Sequence, residues 1–510
     1  VWLWLACTGA EPSDSAGGDD TAASACATGT DGSTLSCGEV QSCANPVPHA
    51  WVERGEALGL RGQEERDDAN PSGGGVVLDD LDGDGDLDLV VSYATPTLDL
   101  YRWDGDAFVH DTMELSHPGV PSLVDIDGDG ERDIALGGGE GQLLRNDGGE
   151  LTLAGSLGSR GVHWAELAPA DLDGDGWTDF YLVTTDPNDE QADDLLAWGD
   201  GSFQPRVDEE VVPDSMANRH GFDAILFDHD GDGWQDVYVV NDQGDRFGGN
   251  ALLRNTGGGL EDVSADCACG IEMGGMGGSV GDYDQDGVAD LLLTGTAHTV
   301  LLHGQDDGSF VDVTLGIGVD SLTSNDAMGW GSAWFDYDND GDLDVAVAQG
   351  DFTHGHGSGL SMPVDLMAQT DGGFENVGPA VGLPESGSHR AVAPADFNDD
   401  GVLDLLVSQA VERPLLYLSE GCSEGSWLVV EAPAGSVVEV EAAGRAWTSW
   451  VVQDTGYGAS RRPEAWFGLG DTDEVDAVHV RFPGSGGSVS LEGPTPARRR
   501  LVARPGSASQ

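Results

Sequence analysis

Aspartates recur along this chain in one spacing, Asp-x-Asp-x-Asp-Gly-x-x-Asp, in seven copies that open at Asp80, Asp125, Asp171, Asp228, Asp282, Asp336 and Asp396. Three side chains at alternate positions of a tight bend point toward one centre, and glycine at the sixth position permits the bend. The backbone carbonyl of the seventh residue and the carboxylate of the ninth complete an oxygen cage. Such a cage suits a hard divalent cation that accepts many oxygens in flexible geometry, which favours Ca²⁺ over Mg²⁺.

The expected ligands are Asp80, Asp82, Asp84, Asp86 and Asp88 in the first copy, and Asp125, Asp127, Asp129, Glu131 and Asp133 in the second. Asp171, Asp173, Asp175, Trp177 and Asp179 form the third set, and Asp228, Asp230, Asp232, Trp234 and Asp236 the fourth. Asp282, Asp284, Asp286, Val288 and Asp290 form the fifth, and Asp336, Asp338, Asp340, Asp342 and Asp344 the sixth. The seventh is Asp396, Asn398, Asp400, Val402 and Asp404, where the amide at Asn398 predicts weaker binding without loss of the loop. About seven Ca²⁺ ions are expected in all.

An EF-hand begins in the same way but needs an acid at its twelfth position, entered on a helix. The residues there are Val91, Leu136, Leu182, Val239, Leu293, Val347 and Val407. The short apolar, often β-branched runs that contain them read as buried strands, so each loop joins two strands. Third strands such as QLLRNDGG at 142–149 and fourth strands such as GSFVDVTLGIGV at 308–319 follow, separated by Gly and Asn/Asp turns. Four strands in each of seven units of about 45 to 60 residues predict an all-β fold, a seven-bladed β-propeller of four-stranded blades with a small C-terminal β domain. Fourth-strand patterns follow six of the loops and are missing after the seventh. HAWVERGEALGL at 49–60 carries that pattern upstream and is expected to close the ring.

Blades such as MGGSVGDYDQDGVADLLLTG and MGWGSAWFDYDNDGDLDVAVAQG are similar to the FG-GAP or VCBS repeats of integrin α propellers and of bacterial relatives of cartilage acidic protein. WFGLGDTDEVDAVHVRFPGSG at 466–486 resembles the ASPIC/UnbV domain. The expected organisation is a lipoprotein-type signal remnant at 1–7, a disordered Ser/Thr/Gly/Asp-rich stalk at 8–48, the propeller at 49–424, the ASPIC/UnbV-like domain at 425–502 and a tail at 503–510. The resemblance implies that the acidic hairpins share one rim and leave the opposite rim and the channel mouth for a partner.

The formal charge is −72, from 93 acids and 21 bases, and every base is Arg. Seven divalent ions would offset less than a quarter of it, so nucleic acid and anionic membrane surfaces are repelled, and lysine Schiff-base chemistry is excluded. WLAC at 4–7 resembles a bacterial lipobox, with Cys7 as the lipidated residue and the outer membrane as the anchoring surface. The even set Cys26, Cys37, Cys43, Cys267, Cys269 and Cys422 suits disulfides outside the cell, Cys37 with Cys43 being one plausible local pair among open connectivities.

His117, His163 and His220 stand eight residues before their loops and His389 seven, with Arg160, Arg219 and Arg390 beside them. These residues are candidates for an anionic-sugar or transition-metal site at the channel mouth, against a plain reading as separate turn residues. The expected function is extracellular adhesion or recognition of a glycan or protein by a monomer without catalytic residues. The alternatives are a lyase or hydrolase of acidic polysaccharides, with a His or Tyr base and an Arg, and a scaffold for the C-terminal domain.

Overall fold

The computed structural model describes residues 25–506 except 44–49, 63–73, 94, 117, 159–162, 186–192, 209–210, 258, 321–327, 351–361, 384–385, 411, 420 and 485. Cys7, His117 and Arg160 therefore lie outside the described residues. The acidic loops set the architecture: each connects an inner strand to a second strand that begins on the ninth-position aspartate, as Pro118–Val124 leads through its loop to Asp133–Gly138. Third and fourth strands then add outward, giving seven four-stranded antiparallel units in succession. Both strands flanking each loop are buried along almost their whole length, because the faces of neighbouring units pack against each other. The short apolar runs of the sequence have that cause.

The inner strands meet their neighbours in a closed cycle, from Val76–Asp79 through Pro118–Val124, His163–Ala170, His220–Phe227, Gly275–Gly281, Met328–Phe335 and His389–Ala395 back to Val76–Asp79. This is a β-propeller. Its last unit takes its fourth strand from the N-terminal side, where Trp51–Glu53 pairs antiparallel with Leu415–Ser419. The Arg413 guanidinium clasps both oxygens of Glu53 across the join, at 2.7 and 3.1 Å.

The C-terminal domain is a two-sheet sandwich around one core, in which Leu428, Val430 and Phe467 of one sheet meet Val438, Val478 and Val480 of the other. Its final strand runs to Arg504, two residues past the expected limit. Part of the segment expected to be a disordered stalk also belongs to this domain. Ala25–Thr28 and Thr34–Cys37 form a hairpin whose second strand pairs with Arg499–Arg504. The correction has a physical cause: Leu35 is fully buried, and the disulfides Cys26–Cys37 and Cys43–Cys422 staple a polar segment that has too few apolar residues to order itself. These bridges, with Cys267–Cys269, also replace the expected Cys37–Cys43 pair.

From this domain a finger, residues 453–461, enters the propeller and fills its channel. Ala459–Arg461 pairs parallel with the inner strand Val76–Asp79. The Ser460 hydroxyl accepts the Leu123 N–H at 2.8 Å, and the Thr455 hydroxyl reaches the Val392 carbonyl at 3.5 Å. Tyr457, 1% exposed, packs on Trp330 and Phe222. Gly456 and Gly458 have φ of +99° and +79°, and a Cβ on Gly456 would stand 2.6 Å from the Ser332 carbonyl oxygen, so glycine is what lets the chain pass so close.

Candidate metal centres and the channel

Each acidic loop is built by its own carboxylates. In the second loop, Asp125 accepts the N–H groups of Gly128 and Gly130 at 2.9 and 3.1 Å, and Asp129 accepts that of Glu131 at 2.9 Å. The ninth-position Asp133 works across strands: one oxygen takes the N–H of Ile126 and the other that of Asn146 on the third strand, both at 2.9 Å. Asp88, Asp179, Asp236, Asp290, Asp344 and Asp404 repeat this double clasp, and all seven residues are buried. The fourth loop position also adopts positive φ, as glycine in the first four loops and as Gln285, Asn339 and Asp399 in the others.

Positions one, three and nine converge. The donor oxygens of Asp80, Asp82 and Asp88 lie within 4.8 Å of one another, and so do those of Asp125, Asp127 and Asp133, of Asp171, Asp173 and Asp179, and of Asp228, Asp230 and Asp236. Asp80 Oδ1 and Asp127 Oδ1 are buried without a hydrogen-bond partner, and a cation is the group that fits such orphaned oxygens. Burial first, with the neighbouring carboxylates adding and the backbone N–H bonds opposing, pushes Asp133, Asp179 and Asp236 up to about 7 and Asp396 to about 8. The metal-free loops thus oppose their own ionisation, and a bound divalent ion would remove that opposition. The seventh-position residues Trp177 and Trp234 have a further use, since their rings lie over Gly128 and Gly174 of the preceding loops.

The C-terminal domain docks on these loops. Arg445 reaches Asp342 at 2.8 Å, and Trp447 Nε1 donates to the Gly341 carbonyl at 2.8 Å. Trp466 Nε1 donates to Asn339 at 3.0 Å, and Arg462 binds Asp79, which precedes the first loop, at 2.8 Å. Arg481 stands 3.4 Å from Asp228, and the Gly484 N–H donates to Gly233. The docking partner of the loop rim is therefore part of the same chain.

The described histidine and arginine candidates, His163, His220, His389, Arg219 and Arg390, do not form an open mouth. His389 and Arg390 are fully buried, with the Arg390 guanidinium 4.1 Å above the Trp330 ring, and His220 is buried against Phe247. Arg219 is tied to the carbonyls of Ser215 and Gly249. His163, half-buried, opens the third inner strand. The finger occupies the space these residues were expected to border. Instead the channel holds carboxyl groups that sequence reading missed: Glu166 and Asp223, buried on adjacent inner strands, and Asp454 on the finger. Burial first, then their mutual repulsion, raises Glu166 well above the carboxylate range, and burial raises Asp223 and Asp454 to about 7.

Comparison with known proteins agrees with the repeat structure. An FG-GAP-like repeat family matches residues 80–135, 125–182, 228–293 and 282–347, and the ASPIC and UnbV family matches 431–510. Cartilage acidic protein 1 of Xenopus tropicalis is 24% identical over 230 residues, covering 39% of this chain and 36% of that protein. Among solved structures, BBS1N in complex with ARL6DN aligns over 74% of this chain and 99% of its own, at TM-score 0.45 and 11% identity. The Dos1 propeller aligns over 66% and 76%, at TM-score 0.40 and 10% identity. The chain carries FG-GAP-like repeats followed by an ASPIC and UnbV domain.

Proposed function

We propose that this protein is an extracellular recognition module in which Ca²⁺ is structural, one ion in each of seven loops, and that it binds a glycan or protein without chemically altering it. The observation that carries the reading is the repeated convergence of carboxylates at positions one, three and nine, with an orphaned buried oxygen in the first and second loops. Oxygen-only donor sets of this kind favour Ca²⁺, and loops of modest affinity fill at the millimolar-range calcium found outside cells. Three disulfides support the same compartment.

The loops that join second to third strands, and fourth strands to the next inner strand, stand at the end opposite the acidic loops, because the strands are antiparallel. That rim is the proposed recognition surface. Burial of His389 and Arg390 supports binding over catalysis, since neither group meets solvent where a general base would have to work.

Ca²⁺ binds the folded hairpins and stabilises them by mass action. EDTA is expected to lower the melting temperature strongly and added Ca²⁺ to restore it, as read by circular dichroism. A melting curve that ignores both additions rejects the reading.

A further inference from the structure

In the second and fifth loops the residue just before the third-strand clasp stands beside the third-position carboxylate, and the chemistry at this strand position changes from unit to unit. In the second loop it is Arg145, whose guanidinium lies 3.3 Å from Asp127. In the fifth it is His303, whose Nε2 lies 3.7 Å from Asp284 Oδ2. Ala368 and Leu418 fill the same position in the sixth and seventh units and offer no donor.

We propose that the fifth loop, unlike the others, is a mixed imidazole and carboxylate site that prefers a first-row transition ion of the Zn²⁺ class over Ca²⁺, with His303 as a ligand. His303 Nδ1 stands 3.0 Å from Asp290 Oδ1, the outer hydrogen bond that typically orients a metal-binding histidine. With the proton on Nδ1, Nε2 turns its lone pair toward Asp284. The 3.7 Å gap is too wide for a hydrogen bond and suits an ion held at about 2.0–2.2 Å from each donor. The donor atoms of Asp284, Asp290 and His303 all lie within 4.8 Å of one another. The ring is held edge-on against Tyr283, and the slot is only partly open to solvent. Imidazole raises affinity for Zn²⁺, Co²⁺ and Ni²⁺ and adds little for Ca²⁺. The inference rests on the metal-loop reading above and, for the fifth loop, replaces Ca²⁺ with a transition ion.

The test is titration of metal-stripped full-length protein with Co²⁺, followed by visible absorption, in a large excess of Ca²⁺. Wild type is expected to retain one Co²⁺ equivalent with the ligand-field bands of a nitrogen-containing site, displaced by Zn²⁺. His303→Gln should weaken that equivalent by about tenfold or more while keeping the Ca²⁺-dependent melting shift. Arg145→His puts an imidazole in the equivalent slot of the second loop and should add a second equivalent. No retained equivalent in wild type, retention undiminished in His303→Gln, or no gain in Arg145→His each overturns the assignment. Retained Co²⁺ without any stabilisation by Ca²⁺ would reject the calcium reading and leave this site standing. Ca²⁺ stabilisation without retained Co²⁺ would do the reverse.

Discussion

Tyr457→Ala is expected to cost about 3–5 kcal/mol of stability, the range for removing a large aromatic from a packed interior. The ring is 1% exposed and sits between Phe222 and Trp330, which belong to the fourth and sixth units. It is therefore a peg shared across the ring, and truncation leaves a void that rigid inner strands cannot close. Denaturant unfolding in saturating Ca²⁺ measures the loss. A cost below about 1 kcal/mol, typical of a surface site, would show that the finger does not hold the channel.

The same finger should dock in a pH-dependent way. Glu166, Asp223 and Asp454 are raised in the docked state, by burial first, whereas each would ionise near the ordinary carboxylate value if exposed. The docked finger thus keeps protons that the free finger loses. Its docking is strongest below the ordinary carboxylate range, weakens as pH rises toward about 7, and levels off above the raised values. Asp454→Asn should flatten the slope of finger protection against protease over that window, with Ca²⁺ saturating throughout. An unchanged slope would remove these groups from the docking equilibrium.

Asp133→Ala is expected to cost about 2–6 kcal/mol, because it orphans two buried N–H groups at about 1–3 kcal/mol each. Those groups belong to Ile126 and Asn146. The contrast with Asp127→Ala makes the experiment informative. Asp127 Oδ1 is buried without a hydrogen-bond partner, and Oδ2 meets the partly exposed Arg145 in a surface-type pair worth little, so its truncation should matter chiefly through the ion. In EDTA the Asp127→Ala penalty should vanish and that of Asp133→Ala should persist. If both vanish, the ninth residue is a ligand and nothing more.

The acidic loops were legible because all their determinants lie within twelve residues: carboxylate alternation, a left-handed glycine and an apolar tail that becomes a strand. Closure by Trp51–Glu53 could likewise be sought by counting strand patterns. The hairpin at Ala25–Cys37 was illegible, since composition reports what a segment can bury unaided, and here disulfides and the Arg499–Arg504 strand supply the rest. His303 carried no signal at a distance of 13 residues from Asp290 until a third strand turned it back onto the loop.

Local spacing alone determined the repeat, its loops and the clustering of carboxylates that could hold a metal ion, because those depend on backbone geometry within one turn. Tertiary structure alone decided that the channel is filled, that the C-terminal domain packs on part of the acidic rim, and that Glu166, Asp223 and Asp454 come together in the channel. Those facts depend on which surfaces of distant segments are complementary, and Asp454 reaches Asp223 only because two glycines let a finger pass between strands that are far from it in the sequence.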